Sequence, residues 1–441
     1  MTSLAKGTRP RVGLFGLLGS GNIGNDASTE AVVQYLRTDH PDAVIDAMCM
    51  GADRMRERYG IETVPIQWQS ARKLPGGPLG AGLKVLGKVL DIGRTAAWVR
   101  RHDAVIIPGM GIMDASLPIN PWGVPWSLFL LSAAGRLLRT KVALVSVGAT
   151  PAKNPVTARL YRSATANAYY RSFRDEASRA VFLRQGLDTS RDPIYPDLAY
   201  SLSFDQDAPV DPLAVGVGVI SYRGGNEDRD RADEIYASYM ANMKEFVRWL
   251  VDSGRSVRLF TGDEQDQHAV DEILADIRQQ RPDLAPSRVI GPPVSTFTEL
   301  TSLIAPVATM VAARFHNIVF AVKLGKPTVC VSYSPKIDSL VADVGLDDYT
   351  QHIKSLDVEQ LKEQFTQLES RRTQVRDQLR ELLPKRSEGA CAQLEELGRV
   401  LFGSAHFTAQ AGRRRQAVRR PAAARRGTGR VPRRSGSRPR C

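Results

Sequence analysis

The feature that most constrains the fold of this chain is an alternation of short apolar runs with helix-like segments, and this alternation occurs twice. The apolar runs are nearly continuous, which is typical of parallel strands that are buried on both faces of a sheet. A polar, proline-bearing segment at 203–212 separates the first series of runs from the second. The pattern therefore predicts an α/β protein with two Rossmann-like domains of similar size.

The same pattern predicts the individual elements and domains. Two Rossmann-like domains that face a cleft form a GT-B-like arrangement, in which ligands bind at the carboxyl ends of the strands. The predicted strands are 11–18, 43–50, 103–109, 141–149, 168–175, 213–223, 256–263, 287–291, 306–314 and 326–333. The predicted helices are 27–38, 82–101, 125–138, 155–167, 175–185, 230–252, 265–280, 296–304, 315–324, 335–344 and 357–384, followed by a shorter one. The predicted divisions are an N-terminal domain at 1–207, a C-terminal domain at 208–350, C-terminal helices at 351–404 and a tail at 405–441.

The formal net charge of +13 is concentrated at the C-terminal end of the sequence. Residues 412–441 contain 12 Arg and no Asp or Glu, so that the rest of the chain has 48 basic against 47 acidic residues. This Arg-rich segment lacks apolar periodicity and is predicted to be disordered. It is either a solvated appendage or a segment that is attracted to anionic lipid or nucleic acid, and no specific nucleic-acid partner is indicated.

Contact with a membrane is possible at one segment of the N-terminal half. No secretory signal peptide is visible, and the most apolar region, 125–149, is interrupted by three basic residues, so we expect a cytoplasmic protein without a spanning segment. The stretch LGAGLKVLGKVLDIGRTAAWV, which begins at Leu79, is amphipathic with lysines on its polar side. Such a stretch either covers a sheet or touches a membrane surface, here the inner face of the membrane.

The stretch GLLGSGNIGNDAST near the N-terminus has the spacing of a dinucleotide-binding loop. Gly19, Gly21 and Gly24 follow an apolar strand and precede a helix, as in G-x-G-x-x-G. The glycines come late after the strand, however, and Asp26, an expected N-cap, places a negative charge where a pyrophosphate needs a positive helix end. NAD is therefore disfavoured, and we expect backbone N–H groups and Asn22 to face an oxygen atom of another substrate.

Cationic and titratable side chains fall at the predicted carboxyl ends of strands in the second half. Arg314 and His316 lie on a strand-to-helix turn, Lys336 follows the next strand, and Arg223 ends the first strand of the second domain. A strand end that leads into a helix N-terminus binds an anion well, and Arg adds a bidentate fork. Histidine is the side chain best suited to exchange a proton near neutral pH, so His316 is a candidate acid or base. The cluster predicts a site for a small, doubly anionic molecule.

Five short motifs follow one another along residues 10–350. They are GSGNIGND near the N-terminus, SFRDEAS at 172–178, YPDLA at 195–199, RFH at 314–316 and YSPK at 333–336. Together they resemble the polysaccharide pyruvyl transferase family. The sequence departs from the family's pattern at Asn25, which separates Gly24 from Asp26, and at PGMGIM after the third predicted strand, where the family tends to have a run of glycines.

The resemblance implies a GT-B-like fold and transfer of an enolpyruvyl-derived group from phosphoenolpyruvate to a sugar hydroxyl, with formation of a pyruvate ketal. Under this hypothesis Arg223, Arg314 and Lys336, on the C-terminal domain, bind the phosphate and carboxylate of the donor. His316 transfers the proton or binds the anion as an imidazolium. Phosphoenolpyruvate is then a donor substrate, and no cofactor and no metal ion are expected.

The N-terminal domain is the expected side for the acceptor, a saccharide or a lipid-linked saccharide. Asn22 and Asp26 are candidate substrate contacts on the glycine loop. Arg174 is another, and it is alternatively an ion-pair partner of Asp175, which is itself a candidate N-cap. Asp197 is either an acceptor contact or part of a turn.

Two other functions compete with pyruvyl transfer. The first is a GT-B glycosyltransferase, in which the Arg and Lys residues at the strand ends hold the diphosphate of a nucleotide-sugar. The second is a non-catalytic scaffold for envelope polysaccharide synthesis that acts through the basic tail.

Overall fold

The computed structural model describes residues 9–71, 75–204 and 208–403. It contains two parallel six-stranded sheets, each with helices on both faces, and this confirms the predicted fold of two Rossmann-like domains. The predicted tail at 405–441 and the end of the predicted first domain, 205–207, lie outside the described residues.

The first domain carries a sheet with the order β3-β2-β1-β4-β5-β6. Its strands are β1 (Arg11–Gly16), β2 (Val44–Cys49), β3 (Glu62–Pro65), β4 (Ala104–Pro108), β5 (Lys141–Val147) and β6 (Tyr170–Phe173). Its helices are α1 (Ile23–Asp39), α2 (Ala52–Tyr59), α3 (Gly77–Val99), α4 (Val124–Leu138), α5 (Pro155–Asn167) and α6 (Glu176–Arg184).

The second domain repeats this arrangement with the order β12-β11-β10-β7-β8-β9. Its strands are β7 (Ala214–Val219), β8 (Ser256–Thr261), β9 (Val289–Ile290), β10 (Thr309–Ala312), β11 (Thr328–Ser332) and β12 (Thr350–His352). Its helices are α7 (Ala232–Asp252), α8 (Gln267–Gln280), α9 (Phe297–Ile304), α10 (Phe315–Lys323) and α11 (Pro335–Val344), and α12 (Val358–Ser370) and α13 (Arg372–Phe402) follow.

Each sheet reverses its strand order at its first strand. In the first sheet β1 pairs with both β2 and β4, and in the second sheet β7 pairs with both β8 and β10. Ligands of open parallel sheets bind beside the carboxyl ends of the strands at such a reversal. The two reversals therefore place the loops after β1, β4, β7 and β10 at the positions where a ligand is expected.

The C-terminal region differs from the prediction of one long helix at 357–384. The chain breaks at Arg371 between α12 and α13, and α13 then continues through Pro384 to Phe402. Its last turn returns to the first domain, where the Lys141 ammonium donates to the carbonyls of Val400 and Leu401 at 3.1 and 2.6 Å. The C-terminal helices thus pack on both domains.

The polar segment around α2 and β3 and the short strand β12 were not predicted. β3 and β12 lie at the outer edges of their sheets, where burial is incomplete and apolar runs are short. Helix α1 begins at Ile23, four residues earlier than predicted. Its first turn contains Gly24, Asn25 and Asp26, which are buried although they are small or polar, so the sequence pattern did not indicate a helix there.

Helix α3 packs on the first domain with only one side. Gly87 lies against the Trp68 ring, and Asp91, Thr95 and Trp98 are buried on the same side. The opposite side is exposed, so the amphipathic stretch covers the domain and also leaves an apolar surface. None of the helices within the described residues has the length and apolar character needed to cross a membrane.

Candidate active site

A cavity of about 490 Å³ lies in the cleft between the two domains, at the carboxyl ends of both sheets. The loops after β1, β4 and β6 line it from the first domain, and the loops after β8, β10 and β11 line it from the second. Several of the predicted site residues line this cavity: Asn22, Arg174, Arg314, His316 and Lys336.

The glycine loop is closed by Asp26. Gly19 and Gly21 have φ values of 65° and 91°, a conformation that favours glycine. The Asp26 carboxylate accepts a hydrogen bond of 2.9 Å from the Gly19 N–H. The N-cap of α1 is Asn22, which accepts from Asn25 N, so the expectation that Asp26 is the N-cap was wrong. Burial raises the pKa of Asp26 to about 6.

The same loop is docked on the second domain. The Ile23 N–H donates to the Gly262 carbonyl at 3.0 Å, and the Glu264 N–H donates to the Gly21 carbonyl at 3.1 Å. The Asn22 side chain donates to the Asp263 carboxylate at 3.0 Å. The first N–H of α1 therefore already has a backbone acceptor in the opposite domain.

His316 lies in the first turn of α10 and contacts residues of the first domain. Its Nε2 is 3.5 Å from Oδ2 of Asp197. Its ring lies so close to Gly24 that a Cβ on Gly24 would be 1.8 Å from Nδ1. Burial alone would raise the pKa of Asp197, but His316 and Arg174 lower it, so Asp197 is ionised. It also accepts a hydrogen bond from Ala199 N, which accounts for the predicted turn.

Arg174 is a buried cation at the cavity wall, and the Nε–Nη2 edge of its guanidinium lies against Gly148. Its guanidinium lies 4.0 Å from the Phe315 ring centroid, and its Nη1 is 3.8 Å from Asp197. Within the described part of the chain, its Nε and Nη2 atoms have no hydrogen-bond partner. The predicted ion pair with Asp175 is present at 3.4 Å, while the Asp175 carboxylate caps α6 by accepting from Ser178 N. Because a buried guanidinium normally fills its donor positions, Arg174 is suited to receive an anion.

Arg314 lines the cavity, but acidic residues of its own domain engage it. Its Nε donates to the buried Asp266 at 2.7 Å, and Nη1 is 3.7 Å from Asp263. Asp266 also accepts hydrogen bonds from the Ser221 hydroxyl and from Thr261. Arg314 therefore fixes the loop after β8 in place.

Lys336 forms an ion pair with Asp114 across the cleft. Lys336 lies in the first turn of α11, and Asp114 lies on the loop after β4. Burial opposes ionisation of Asp114, but Lys336 and Ser116 together hold its pKa well below the usual range. The Lys336 ammonium therefore faces the cavity while it is paired with a charged carboxylate.

Arg223, Asp26 and Asp197 do not line the cavity. Arg223 pairs with Asp233, and its guanidinium lies 4.4 Å from the Tyr236 ring centroid. Both contacts belong to α7, although Arg223 follows the end of β7 as predicted.

Three helices begin at the cavity wall: α1, α10 and α11. No side-chain cap is present at the N-terminus of α10 or α11. Helix N-termini carry partial positive charge and favour bound anions. These N-termini share the cavity with three cationic side chains, Arg174, Arg314 and Lys336, and with the carboxylates of Asp114 and Asp263.

The sequence analysis did not single out the acidic residues of the site. Asp114, Asp263 and Asp266 follow β4 and β8, so the strand-end rule applied to Arg314 would also have indicated them. Their pairing with Arg314 and Lys336 joins residues 48 and 222 positions apart, which no local pattern shows.

A larger cavity of about 940 Å³ adjoins the first, and Tyr333 lines both. Its walls come from the loops after β4 and β5 in the first domain and from the loop after β7 in the second. Within residues 9–71, 75–204 and 208–403, no group of three or more His, Cys, Asp or Glu side chains is placed to hold a metal ion.

Comparison with known families identifies the chain. The profile of the polysaccharide pyruvyl transferase family matches residues 22–335. This range includes Asn22, Arg174, Arg314 and His316 of the cavity, and it ends one residue before Lys336. The chain belongs to this family. The resemblance of the five motifs is thus confirmed, and with it the assignment to polysaccharide pyruvyl transferases. No match is found among the curated proteins.

Solved structures of other proteins share the fold. The putative UDP-N-acetylglucosamine 2-epimerase from Listeria monocytogenes has a TM-score of 0.59 and 11% identity, covering 89% of this chain and 96% of that one. The UDP-GlcNAc 2-epimerase from Neisseria meningitidis bound to UDP-GlcNAc has a TM-score of 0.55 and 12% identity, covering 88% and 99%. Anabaena HepE in complex with UDP and glucose has a TM-score of 0.55 and 11% identity, covering 88% and 98%. These similarities confirm the GT-B-like arrangement of the two domains.

Proposed function

We propose that this transferase moves a pyruvyl group from phosphoenolpyruvate to a pair of hydroxyl groups on one saccharide, where it forms a ketal. The observation that carries the proposal is the Arg174 guanidinium, which is buried at the cavity wall with two nitrogen atoms that lack hydrogen-bond partners among the described residues. Its position beside His316 provides an anion-binding group next to a titratable one. Phosphoenolpyruvate needs both.

The anionic groups of the donor are assigned to three features of the cavity. Arg174 lines the cavity and binds one anionic group through its guanidinium. Lys336 and the N-termini of α10 and α11 receive the other. Arg314 contributes its charge but stays bound to Asp266, and we assign no donor contact to Arg223 because it lies outside the cavity.

The reaction needs one proton transfer to carbon. His316 donates a proton to the methylene carbon of phosphoenolpyruvate, which becomes a methyl group. The oxygen atom of one saccharide hydroxyl bonds to the central carbon and its proton restores His316. The bond from that carbon to the phosphate oxygen breaks, and phosphate leaves with the electron pair. A second hydroxyl forms the other ketal bond, and its proton leaves on the phosphate, so that no oxidant or reductant is required.

Asp197 acts as a positioning residue for His316. Its carboxylate is ionised and fixed by the Ala199 N–H, and it lies 3.5 Å from the His316 imidazole. It therefore orients the ring and stabilises the positive charge that the ring carries as a proton donor. Contact with Gly24 on the opposite side restricts the ring further.

The larger adjoining cavity is assigned to the saccharide acceptor. It meets the donor cavity at Tyr333, and the side-chain amide nitrogens of Asn120 and Asn154 remain available to donate to hydroxyls, while the amide oxygens of both accept from backbone N–H groups. Its volume of about 940 Å³ is sufficient for an oligosaccharide unit.

The test is to incubate the full-length protein with phosphoenolpyruvate and a panel of defined saccharides. We expect inorganic phosphate to appear only when an acceptor is present, together with an acceptor mass increased by one pyruvate ketal. The His316→Gln variant should lose both signals, and the matched His268→Gln variant, an exposed histidine outside the cavity, should keep them.

One rival remains, because the structural neighbours from Neisseria and Anabaena bind UDP-GlcNAc and UDP with glucose. Transfer of a sugar from a nucleotide-sugar to the same acceptors, without a requirement for phosphoenolpyruvate, would contradict pyruvyl transfer. If neither reaction occurs, and the His316→Gln variant still performs the cellular role of the protein, the scaffold function would be favoured.

A further inference from the structure

Helix α3 carries an exposed apolar surface, which we call the α3 face. It consists of six large side chains whose exposed fractions lie between 39% and 69%. They are Leu79, Val85, Leu86, Val89, Leu90 and Ile92. Exposed apolar surfaces of this kind on a folded protein mark interaction sites, whereas isolated exposed apolar residues do not.

The six side chains share one side of the helix. With ~100° of rotation per residue, they fall within an arc of roughly 160°. Gly82 and Gly93 lie in the same arc and add no charge. The opposite side, with Gly87 and Asp91, packs on the first domain. The α3 face is therefore continuous over the helix and is not covered by any described residue of the chain.

The exposed charges next to the C-terminal end of the α3 face are mainly positive. Asp91 is the one acid between residues 77 and 101, and it is buried in a pair with Arg94 at 2.6 Å. Lys84 and Lys88 fall outside the arc of the α3 face, whereas Arg100 and Arg101 are exposed directly after the helix and the exposed Asp103 follows them. Two more exposed arginines, Arg136 and Arg139, lie at the end of the neighbouring helix α4. The ends of the two helices are adjacent, because the Thr140 hydroxyl donates to the carbonyl of Val99.

We propose that the α3 face docks on an anionic lipid bilayer. A helix with one apolar side and cationic neighbours lies in the plane of the bilayer, with its apolar side among the acyl chains and its cations at the headgroups. A second copy of this chain is a poorer occupant, since the same face would offer its cations no opposite charge. A neutral protein surface would leave the arginines without partners.

Docking would bring the acceptor cavity to the membrane surface. Two neighbouring residues connect α3 with the start of α4. Gln67 donates to Ser127 in the first turn of α4, and the Trp68 ring packs on Gly87 in the middle of α3. The segment that leads into α4 lines the larger cavity at Pro121, and Trp122 beside it is 53% exposed. This geometry suits an acceptor saccharide that is carried on a lipid. That consequence rests on the proposed function, whereas the docking of the α3 face on the bilayer does not.

The test is flotation of the full-length protein with vesicles of phosphatidylcholine alone and of phosphatidylcholine mixed with phosphatidylglycerol. We expect the protein to float with the anionic vesicles. The double variant Val85→Ser and Val89→Ser should lower the partition coefficient at least about tenfold, because each buried CH₂ group contributes several-fold to binding. Leu79→Ser with Leu86→Ser is a second variant on the adjoining row, and unchanged melting temperatures establish that both variants fold.

Two controls separate the α3 face from other sources of lipid binding. Val156→Ser with Leu183→Ser removes exposed apolar side chains from other helices and should change nothing. A full-length variant in which the arginines of 412–441 become glutamine tests the basic tail. Binding that is lost only in this tail variant, or equal binding to uncharged vesicles, would overturn the proposal. A wild-type dimer in light scattering that the α3 variants dissociate, without any flotation, would assign the face to a second copy instead.

Discussion

His316 and Asp197 meet across the cleft, with Nε2 of the imidazole 3.5 Å from Oδ2 of the carboxylate. His316 belongs to the second domain and Asp197 to the first, so the pair exists only when the two domains are assembled. The imidazole that we assign to proton transfer is thus oriented by a charge from the opposite domain. This relationship leads to the first two predictions.

Asp197→Asn should reduce kcat for phosphate release roughly ten- to hundredfold, because the imidazole loses its ionised partner but remains in place. The asparagine can still accept from Ala199 N, so the turn is kept. The affinity for phosphoenolpyruvate should not fall, since the change removes a negative charge beside Arg174. Steady-state kinetics together with calorimetric binding of the donor measure the two effects separately. An unchanged kcat would remove Asp197 from the mechanism.

Gly24→Ala should reduce activity while the protein stays folded. The new Cβ would lie 1.8 Å from Nδ1 of His316, so the ring has to rotate out of its position. Alanine is favourable in a helix such as α1. The matched control is Gly93→Ala, a helical and exposed position where a Cβ meets nothing within 4 Å. We expect normal kcat for the control, and equal kcat for both variants would show that the ring position does not matter.

Asp26→Asn should change the pH dependence of stability. Because burial raises the pKa of Asp26 from 3.8 to about 6, the folded chain binds more protons than the unfolded chain between these values. The free energy of unfolding therefore falls as the pH rises through this window, by about 3 kcal/mol in total, and then levels off. The variant should be more stable than wild type at about pH 8 and show no gain at about pH 4.

Urea unfolding at the two pH values measures this difference. The amide oxygen of the substituted side chain can still accept from Gly19 N, so the loop stays closed. Asp53→Asn, whose side chain is 97% exposed on the nearby helix α2, is the control and should behave as wild type. A variant that is less stable than wild type at about pH 8 would contradict the inferred pKa shift.

Arg314→Met should destabilise the second domain. Asp266 is buried, and it would lose its cationic partner while keeping hydrogen bonds from Ser221 and Thr261. Removing one member of a buried ion pair costs about 3–5 kcal/mol. Arg231→Met breaks an exposed pair with Glu234 and should have little effect on stability. Equal unfolding free energies for the two variants would mean that Arg314 has no structural role, and its charge would then be available for the donor.

The fold could be predicted from the sequence because its central strands are buried on both faces. β4, for example, is buried at every position, and such a run is visible as a continuous apolar stretch. β3 has no fully buried residue and was not predicted. The break at Arg371 was not predicted either, since charged residues continue on both sides of it and no Gly or Pro marks it.

The site could be predicted only up to the strand ends. The rule that ligands bind at carboxyl ends of parallel strands indicated Arg314, His316 and Lys336, and these three line one cavity. It did not separate Arg314, which donates a hydrogen bond to Asp266, from Arg174, whose Nε and Nη2 have no hydrogen-bond partner among the described residues. That difference depends on which carboxylates approach each guanidinium in three dimensions, and residue type alone does not encode it.

The most direct test of the account is calorimetric titration of phosphoenolpyruvate and of UDP-GlcNAc into wild type, Arg174→Met and Arg223→Met. We expect phosphoenolpyruvate to bind wild type and Arg223→Met alike, because Arg223 lies outside the cavity. Arg174→Met should bind it roughly ten- to hundredfold more weakly, the value of a charge-assisted hydrogen-bonded contact. Binding of UDP-GlcNAc without binding of phosphoenolpyruvate, or equal donor affinity in Arg174→Met and wild type, would contradict the proposed pyruvyl transfer at this site.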